Sequence, residues 1–247
     1  MIEVIHYQNK AAEQPLEASI SKYYDEVRAL LRGLPKTVKI YFGDYGIIPE
    51  SGIGGYAYSH DTITISIDPD FKDKKKQLQD IRPTIFHEAF HLYQNYTGES
   101  GPFTAIENAI YEGMATVFER EYCGIWQPYG DYRETPENSL KQWLQNLQKL
   151  SLKDFQNTYS EWKFYHPKLQ ERWIVYKVGT WITDQVLEKH KLKILDVSDK
   201  TASEVLVSTE HARFQLSSSY SADLTWFIVT GEDCPLAKCP YAGRVVP

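Results

Sequence analysis

Two histidines four residues apart, with a glutamate directly after the first, are the residues best suited to chemistry in this sequence. They form the segment His87-Glu88-Ala89-Phe90-His91. In a helix, side chains at i and i+4 project from one face, so both imidazoles can reach a single ion at ~2.0–2.1 Å, the usual Zn–N distance. Glu88 is rotated away from the two ligands but can still reach a water molecule on the ion. The spacing therefore predicts a Zn²⁺ site with His87 and His91 as ligands and Glu88 as general base.

A catalytic zinc site needs a third protein ligand and an open position. The metzincin pattern would require a glycine at position 94 and a histidine at position 97, where this chain has Gln94 and Thr97. Peptide deformylases take a thiolate from upstream of their histidines, whereas all three cysteines of this chain lie downstream. A glutamate on the following helix remains, as in thermolysin-like gluzincins. The candidates there are Glu107, Glu112, Glu119 and Glu121.

Glu112 differs from the other candidates in having small residues around it on the helix. Ala109 and Ala115 lie three residues to either side, and Gly113 follows directly. A wall of small side chains would allow the helix to approach the histidine helix closely enough for a carboxylate to meet two imidazoles. We therefore predict Glu112 as the third ligand. Glu119, two turns further on the same side, is a candidate to support a ligand from behind.

The elements that must position these residues begin with strands. An amphipathic helix is predicted from about Leu16 to Leu34 and a strand from Thr37 to Phe42, followed by a glycine-rich hairpin or loop. Thr62 to Asp68 alternates between polar and β-branched apolar residues, which predicts a strand with one buried and one exposed face. Such a strand could bind an extended substrate by β-augmentation.

Helical patterns dominate the rest of the chain. The first contains the histidine motif and is predicted to begin at Asp80 as N-cap and to run through Tyr96. The others are predicted from Thr104 to Tyr122, Leu140 to Leu150, Trp173 to about Leu187 and Ala202 to Leu216. Strands followed by helices indicate an α+β fold. We expect one domain over residues 1–247, with a sheet and active-site part at about 1–100 and a helical part at about 101–247.

Three segments resemble a known family. The histidine motif, Tyr111-Glu112-Gly113-Met114-Ala115 and Tyr176-Lys177-Val178-Gly179 are similar to the predicted Zn-dependent proteases of bacteria in the peptidase MA-like, or gluzincin, group. The similarity extends from the strand at Thr37 to about Trp181. It implies a zincin-like core, metal ligands at His87, His91 and Glu112, catalytic Glu88 and a transition-state role for Tyr176.

The sequence departs from thermolysin at two positions. Thermolysin carries an acid four residues after its ligand glutamate, which braces a ligand histidine, whereas this chain has Thr116 there. The support that orients the imidazoles must therefore come from elsewhere. Thermolysin also stabilises the oxyanion with a distal histidine, for which this chain offers His166, His190 and His211 without a matching motif.

The expected reaction is hydrolysis of a peptide bond in a peptide or protein substrate. Zinc would lower the pKa of its bound water towards ~7, and Glu88 would take the proton from that water and pass it to the leaving nitrogen. Two other functions stay open. The chain could be a non-catalytic zinc-binding module of zincin fold, or a metal hydrolase acting on a non-peptide amide.

Composition excludes several other functions and leaves the compartment open. The net charge of −6 and a pI near 5.7 do not favour nucleic acid. No segment approaches the ~20 apolar residues of a membrane span. We expect a cytoplasmic protein, although one secreted after removal of a signal peptide is not excluded. Cys234 and Cys239 could form a local disulfide or remain reduced thiols.

Overall fold

The computed structural model describes residues 2–5, 10–43 and 46–208. Within these residues a small mixed sheet is followed by a mostly helical part, in agreement with the predicted α+β class. The four strands of the sheet are β1 (Ile2–Ile5), β2 (Val38–Gly43), β3 (Ile53–Ser59) and β4 (Thr62–Ile67). A second sheet contains only β5 (Tyr165–His166) and β6 (Glu171–Arg172).

The strand order of the main sheet corrects the expectation for the segment from Thr62 to Asp68. The order is β1-β2-β4-β3, with β2 parallel to β1 and β4, and β3 antiparallel to β4. β4 is therefore an interior strand with no free edge for a substrate. Its polar residues Thr64 and Ser66 are each 1% exposed, so the predicted solvent face does not exist. The edge strands of this described sheet are β1 and β3. The sequence indicated β3 only as part of a glycine-rich hairpin or loop.

The helices follow the predicted order with shifted ends. The long helices are α1 (Lys10–Leu30), α2 (Lys74–Gln94), α3 (Ala105–Cys123), α4 (Glu137–Lys149) and α7 (Ile174–His190). The short ones are α5 (Leu152–Asn157), α6 (Tyr159–Lys163), α8 (Ala202–Val207) and the 3₁₀ turn Ile194–Asp196. β1, α5 and α6 were not predicted. Cys234, Cys239 and the end of the helix predicted at Ala202 to Leu216 lie outside the described residues.

Helix α2 begins about two turns earlier than predicted. Its N-cap is Asp73, whose carboxylate accepts a hydrogen bond from the Lys76 backbone N–H, and Pro83 lies inside the helix. Asp80, predicted as the N-cap, is buried and forms an ion pair with Lys76 at 2.5 Å. The proline misled the prediction because it favours a first turn but is tolerated inside a helix where the lost hydrogen bond is offset by packing.

Two kinds of packing fix α3 between its neighbours. The rings of Phe86 and Phe90 on α2 stack on Phe118 of α3, with centroid distances of 5.8 and 4.7 Å. On the opposite side, a β-carbon on Gly113 of α3 would overlap the backbone of Gly179 on α7. The small residues beside Glu112 therefore allow α7 to approach α3 closely. The sequence predicted that they would allow the histidine helix to do so.

Among the described helices, none combines the length and the apolar character of a membrane span.

Candidate metal centre

His87 and His91 lie on successive turns of α2 and point to the same side. Both residues are buried, at 5% and 3% exposure, and their Nε2 atoms are 3.0 Å apart. The ring centroids are separated by 4.6 Å and the ring planes are nearly perpendicular at 87°. The helical spacing thus produces the convergence of imidazole nitrogens that the sequence predicted.

Glu112 reaches the same point from α3. Its Oε2 atom lies 3.1 Å from His87 Nε2 and 3.2 Å from His91 Nε2. These three residues form a group, within the described part of the chain, whose ligand atoms lie close enough together to hold a metal ion. The structure therefore brings together the three residues predicted as ligands.

The arrangement fits a zinc ion in its distances and in its charge. Ligand atoms ~2.0–2.1 Å from a tetrahedral zinc lie roughly 3.3 Å apart, close to the observed 3.0–3.2 Å. Burial by itself would lower the pKa of His87, yet Glu119 and Glu112 raise it to about 10. Burial lowers the pKa of His91 to about 4. The carboxylates thus draw a positive charge into the cluster, which a divalent cation would supply.

Glu119 supports His87 from behind. It is completely buried, and its Oε1 lies 3.6 Å from His87 Nδ1, too far for a hydrogen bond but close enough for strong attraction. The Tyr129 hydroxyl lies 2.7 and 2.8 Å from the two Glu119 oxygens. A carboxylate facing Nδ1 favours a proton there and leaves Nε2 free as a ligand. Glu119, and not Thr116, therefore faces His87 Nδ1, while the Thr116 hydroxyl donates to the Glu112 backbone carbonyl at 2.8 Å.

Glu88 lies against the outer edge of the sheet. Its carboxylate accepts a hydrogen bond from the Ala57 backbone N–H of β3, and burial raises its pKa to about 7. The neighbouring strand residue is Gly55, where an added β-carbon would lie 2.5 Å from Glu88 Oε1. A pKa near 7 suits a general base at neutral pH.

The second oxygen of Glu112 has partners of its own. Lys163, the last residue of α6, places Nζ 2.5 Å from Glu112 Oε1, and the Tyr96 hydroxyl lies 3.3 Å from the same oxygen. Burial by itself would raise the pKa of Glu112, but Lys163 and His91 hold it well below its usual range. Burial would lower the pKa of Lys163, but Glu112 raises it well above its usual range. Glu112 and Lys163 are thus a charged pair.

A cavity of about 360 Å³ opens onto the three candidate ligands and Glu88. Its walls come from β3, the loop after α2, and helices α3, α5, α6 and α7. Aromatic residues are prominent among the lining side chains, which include Tyr56, Tyr96, Phe103, Phe155, Tyr159 and Tyr176.

Tyr176 reaches this cavity from α7. Its ring centroid lies 6.4 Å from that of His87, and Lys163 Nζ lies 5.2 Å from the ring centre. Burial, assisted by the negative charge of Glu112, raises the pKa of Tyr176 well above its usual range, so the hydroxyl keeps its proton. The described histidines that were candidates to stabilise the oxyanion do not reach this cavity. His166 packs on Trp162, and His190 lies 3.1 Å from the Ser208 carbonyl; neither lines the cavity. His211 lies outside the described residues.

Comparison with known proteins agrees with the chemistry of this cluster. A family model described as predicted Zn-dependent protease (DUF2268) matches residues 16–207, which is more than half of the chain. The chain belongs to this family. No curated protein and no solved structure matches it. The matched range of this family member contains the three candidate ligands, Glu88, Glu119, Lys163 and Tyr176.

Several residues of the site in this predicted protease had no signal in the sequence. Lys163 lies in a five-residue helix that shows no amphipathic pattern of its own, and its contact with Glu112 joins residues 51 positions apart. The helical pattern predicts Tyr96 only as the end of the histidine helix, whereas its hydroxyl lies 2.5 Å from Asn108 Oδ1 in α3. The first contact requires α6 to lie near α3, and the second requires the loop after α2 to lie against α3.

Proposed function

We propose that this protein is a zinc-dependent metallopeptidase of the gluzincin type. His87, His91 and Glu112 hold the ion in this proposal. The observation that supports it most strongly is the buried triangle of two imidazole nitrogens and one carboxylate oxygen, with edges of 3.0–3.2 Å. A third side chain from a second helix, together with an adjoining cavity, matches a catalytic zinc site better than a closed four-ligand structural one.

Glu88 acts as the general base in this mechanism. When bound, zinc would polarise the scissile carbonyl and lower the pKa of a water molecule to ~7. Glu88 accepts the proton of the attacking water and delivers it to the leaving nitrogen. The Ala57 N–H bound to Glu88 and the adjacent Gly55 fix the carboxylate at the cavity wall.

Tyr176 stabilises the negative charge that develops on the carbonyl oxygen. Its place on the cavity wall beside His87, and a pKa raised well above the usual range, support donation of a hydrogen bond by a protonated hydroxyl. A positioned donor of this kind contributes ~2.7–4 kcal/mol in other enzymes.

The substrate main chain pairs with β3 in the stretch next to Glu88. Gly98 N and Glu99 N donate to the Ala57 and Tyr58 carbonyls at 3.0 and 3.1 Å, so the loop after α2 already covers that end of the edge. Gly55, two residues before Ala57, presents its main-chain groups to the same outer edge and lines the cavity. An extended peptide can therefore add to the sheet at Gly55.

The test is hydrolysis of a peptide library by the zinc-loaded wild type and by Glu88→Gln, with Glu99→Gln as a control. We expect cleavage by the wild type and the control, and a loss of several orders of magnitude in kcat for Glu88→Gln with zinc retained. Bound zinc without turnover of any amide would instead support a non-catalytic zinc-binding module. Turnover of non-peptide amides alone would support the hypothesis of a metal hydrolase that acts on a non-peptide amide.

A further inference from the structure

The side chain of Lys163 places a positive charge beside a metal ligand in the interior of the protein. Lys163 is 6% exposed, and its Nζ meets Glu112 Oε1 at 2.5 Å. Burying an ammonium group is costly unless it is paired, and a buried pair often adds little to stability. The position of this lysine therefore calls for an explanation beyond stability.

The two oxygens of Glu112 have different partners. Oε2 faces the Nε2 atoms of His87 and His91 at 3.1 and 3.2 Å, where the ion would lie. Oε1 points the other way, to Lys163 Nζ and, at 3.3 Å, to the Tyr96 hydroxyl. An oxygen held by an ammonium group is not free to turn towards a cation on the other side of the carboxylate.

We propose that Lys163 is a positioning residue that restricts Glu112 to a single ligand oxygen. This inference rests on the proposed function, because it concerns the metal that the site is proposed to hold. A carboxylate can bind a metal through one oxygen or through both. With Glu112 restricted to Oε2, a bound ion would take one oxygen from this carboxylate, and a position would stay open for the substrate and the attacking water. The charge of Lys163 would also offset that of Glu112.

A purely structural role is the competing explanation. The Lys163 ammonium group lies 5.1 and 5.2 Å from the ring centres of Tyr159 and Tyr176, so the side chain also joins α6 to α7. If packing were its only purpose, a neutral side chain that replaces the aliphatic stem of the lysine would preserve the metal geometry. The two explanations therefore separate in a variant that keeps an unbranched apolar stem and removes the ammonium group.

The experiment compares the cobalt-substituted full-length wild type with Lys163→Met, because the visible bands of Co²⁺ report its coordination number. Lys177→Met is the matched control: it removes an ion pair with Glu171 at 2.8 Å next to Tyr176 but outside the ligand set. We expect intense four-coordinate bands in the wild type and the control. Lys163→Met should retain one cobalt per chain, show the weaker bands of a higher coordination number, and lose on the order of 10–100-fold in kcat with little change in KM.

A second variant keeps the test informative if Lys163→Met does not fold. Lys163→Gln keeps a polar side chain, but that side chain is one bond shorter than lysine and carries no charge. Its amide nitrogen therefore does not take the place of Nζ beside the Glu112 oxygen, and the same spectral change is expected. Wild-type bands and wild-type kcat in a folded Lys163 variant would overturn the positioning role alone. A wild type that binds no cobalt would overturn the metal site itself, and with it the proposed function.

Discussion

Gly55 on the edge strand and Glu88 on the histidine helix are in such close contact that a β-carbon at position 55 would overlap the Glu88 side chain. A β-carbon at position 55 would lie 2.5, 2.6 and 2.8 Å from Oε1, Cγ and Cδ of Glu88. The sequence showed a glycine-rich stretch here without a reason for it. In the proposed mechanism, the glycine allows the sheet edge to approach Glu88 closely enough for the substrate main chain to reach both.

Gly55→Ala should therefore impair catalysis without disturbing the metal. The added methyl group meets a flexible side chain and not the backbone, so the protein should fold and Glu88 should move. We expect kcat to fall by on the order of 10²-fold, the effect of a misplacement of about 1 Å. Zinc stoichiometry and the melting temperature should change little. Full activity in Gly55→Ala would contradict the claim that contact with Gly55 sets the position of Glu88 required for catalysis.

Glu119→Gln tests whether the buried carboxylate behind His87 supports the ligand. We expect zinc affinity, measured by competition with a chelator, to fall on the order of 10–100-fold, because the neutral amide no longer favours a proton on Nδ1. Tyr129→Phe removes the hydroxyl from the same carboxylate and serves as the control, with a smaller loss. Equal zinc affinities in wild type and Glu119→Gln would show that the Glu119 carboxylate does not support the ligand.

Tyr176→Phe should lower kcat and leave zinc binding unchanged. Loss of one donor to the developing oxyanion corresponds to on the order of 10²–10³-fold in kcat. Steady-state kinetics on a cleaved peptide and zinc titration would measure the two effects separately. The matched control is Tyr23→Phe, because Tyr23 lies on α1 outside the cavity lining. This substitution should change neither kcat nor zinc binding. An unchanged kcat in Tyr176→Phe would leave this ring as part of the cavity wall only.

Gly179→Ala should weaken both folding and metal binding. The new methyl group would overlap the Ala109 carbonyl oxygen, so α7 must move away from α3 beside Gly113 and Glu112. We expect a loss of about 1–3 kcal/mol in the free energy of unfolding, together with weaker zinc binding. Gly124→Ala is the comparison, since a β-carbon there meets open space and the cost is a left-handed φ of 71° at the end of α3. Gly124→Ala should lower stability without changing zinc affinity. Unchanged zinc affinity in Gly179→Ala would show that the distance between α3 and α7 does not affect the candidate metal site.

The residues that were predictable share one property, namely that their relation is local in the chain. His87, Glu88 and His91 lie within five residues of one helix, so helical geometry alone brings them together. Glu112 was selected for its small neighbours, yet Gly113 faces Gly179 while the phenylalanine stack sets the distance to α2. Glu112 thus lies in the candidate cluster, but the small residues beside it accommodate α7 and not the histidine helix.

Residues that escaped prediction depend on contacts between distant segments. β4 alternates like a half-exposed strand, but it is interior because β3 turns back along its outer side. Lys163 meets Glu112 only after α6 has packed near α3 and α7. A single sequence carries no periodicity for such contacts, since each depends on the placement of whole elements.

The central claim is that His87, His91 and Glu112 hold one zinc ion, and its most direct test is zinc stoichiometry. Wild type, His87→Ala and the exposed-site control His60→Ala would each be stripped of metal, supplied with zinc, separated from excess ion and analysed for bound metal. We predict one zinc per chain in the wild type and in His60→Ala, and none retained in His87→Ala. Zinc retained equally by all three, or by none of them, would contradict the site.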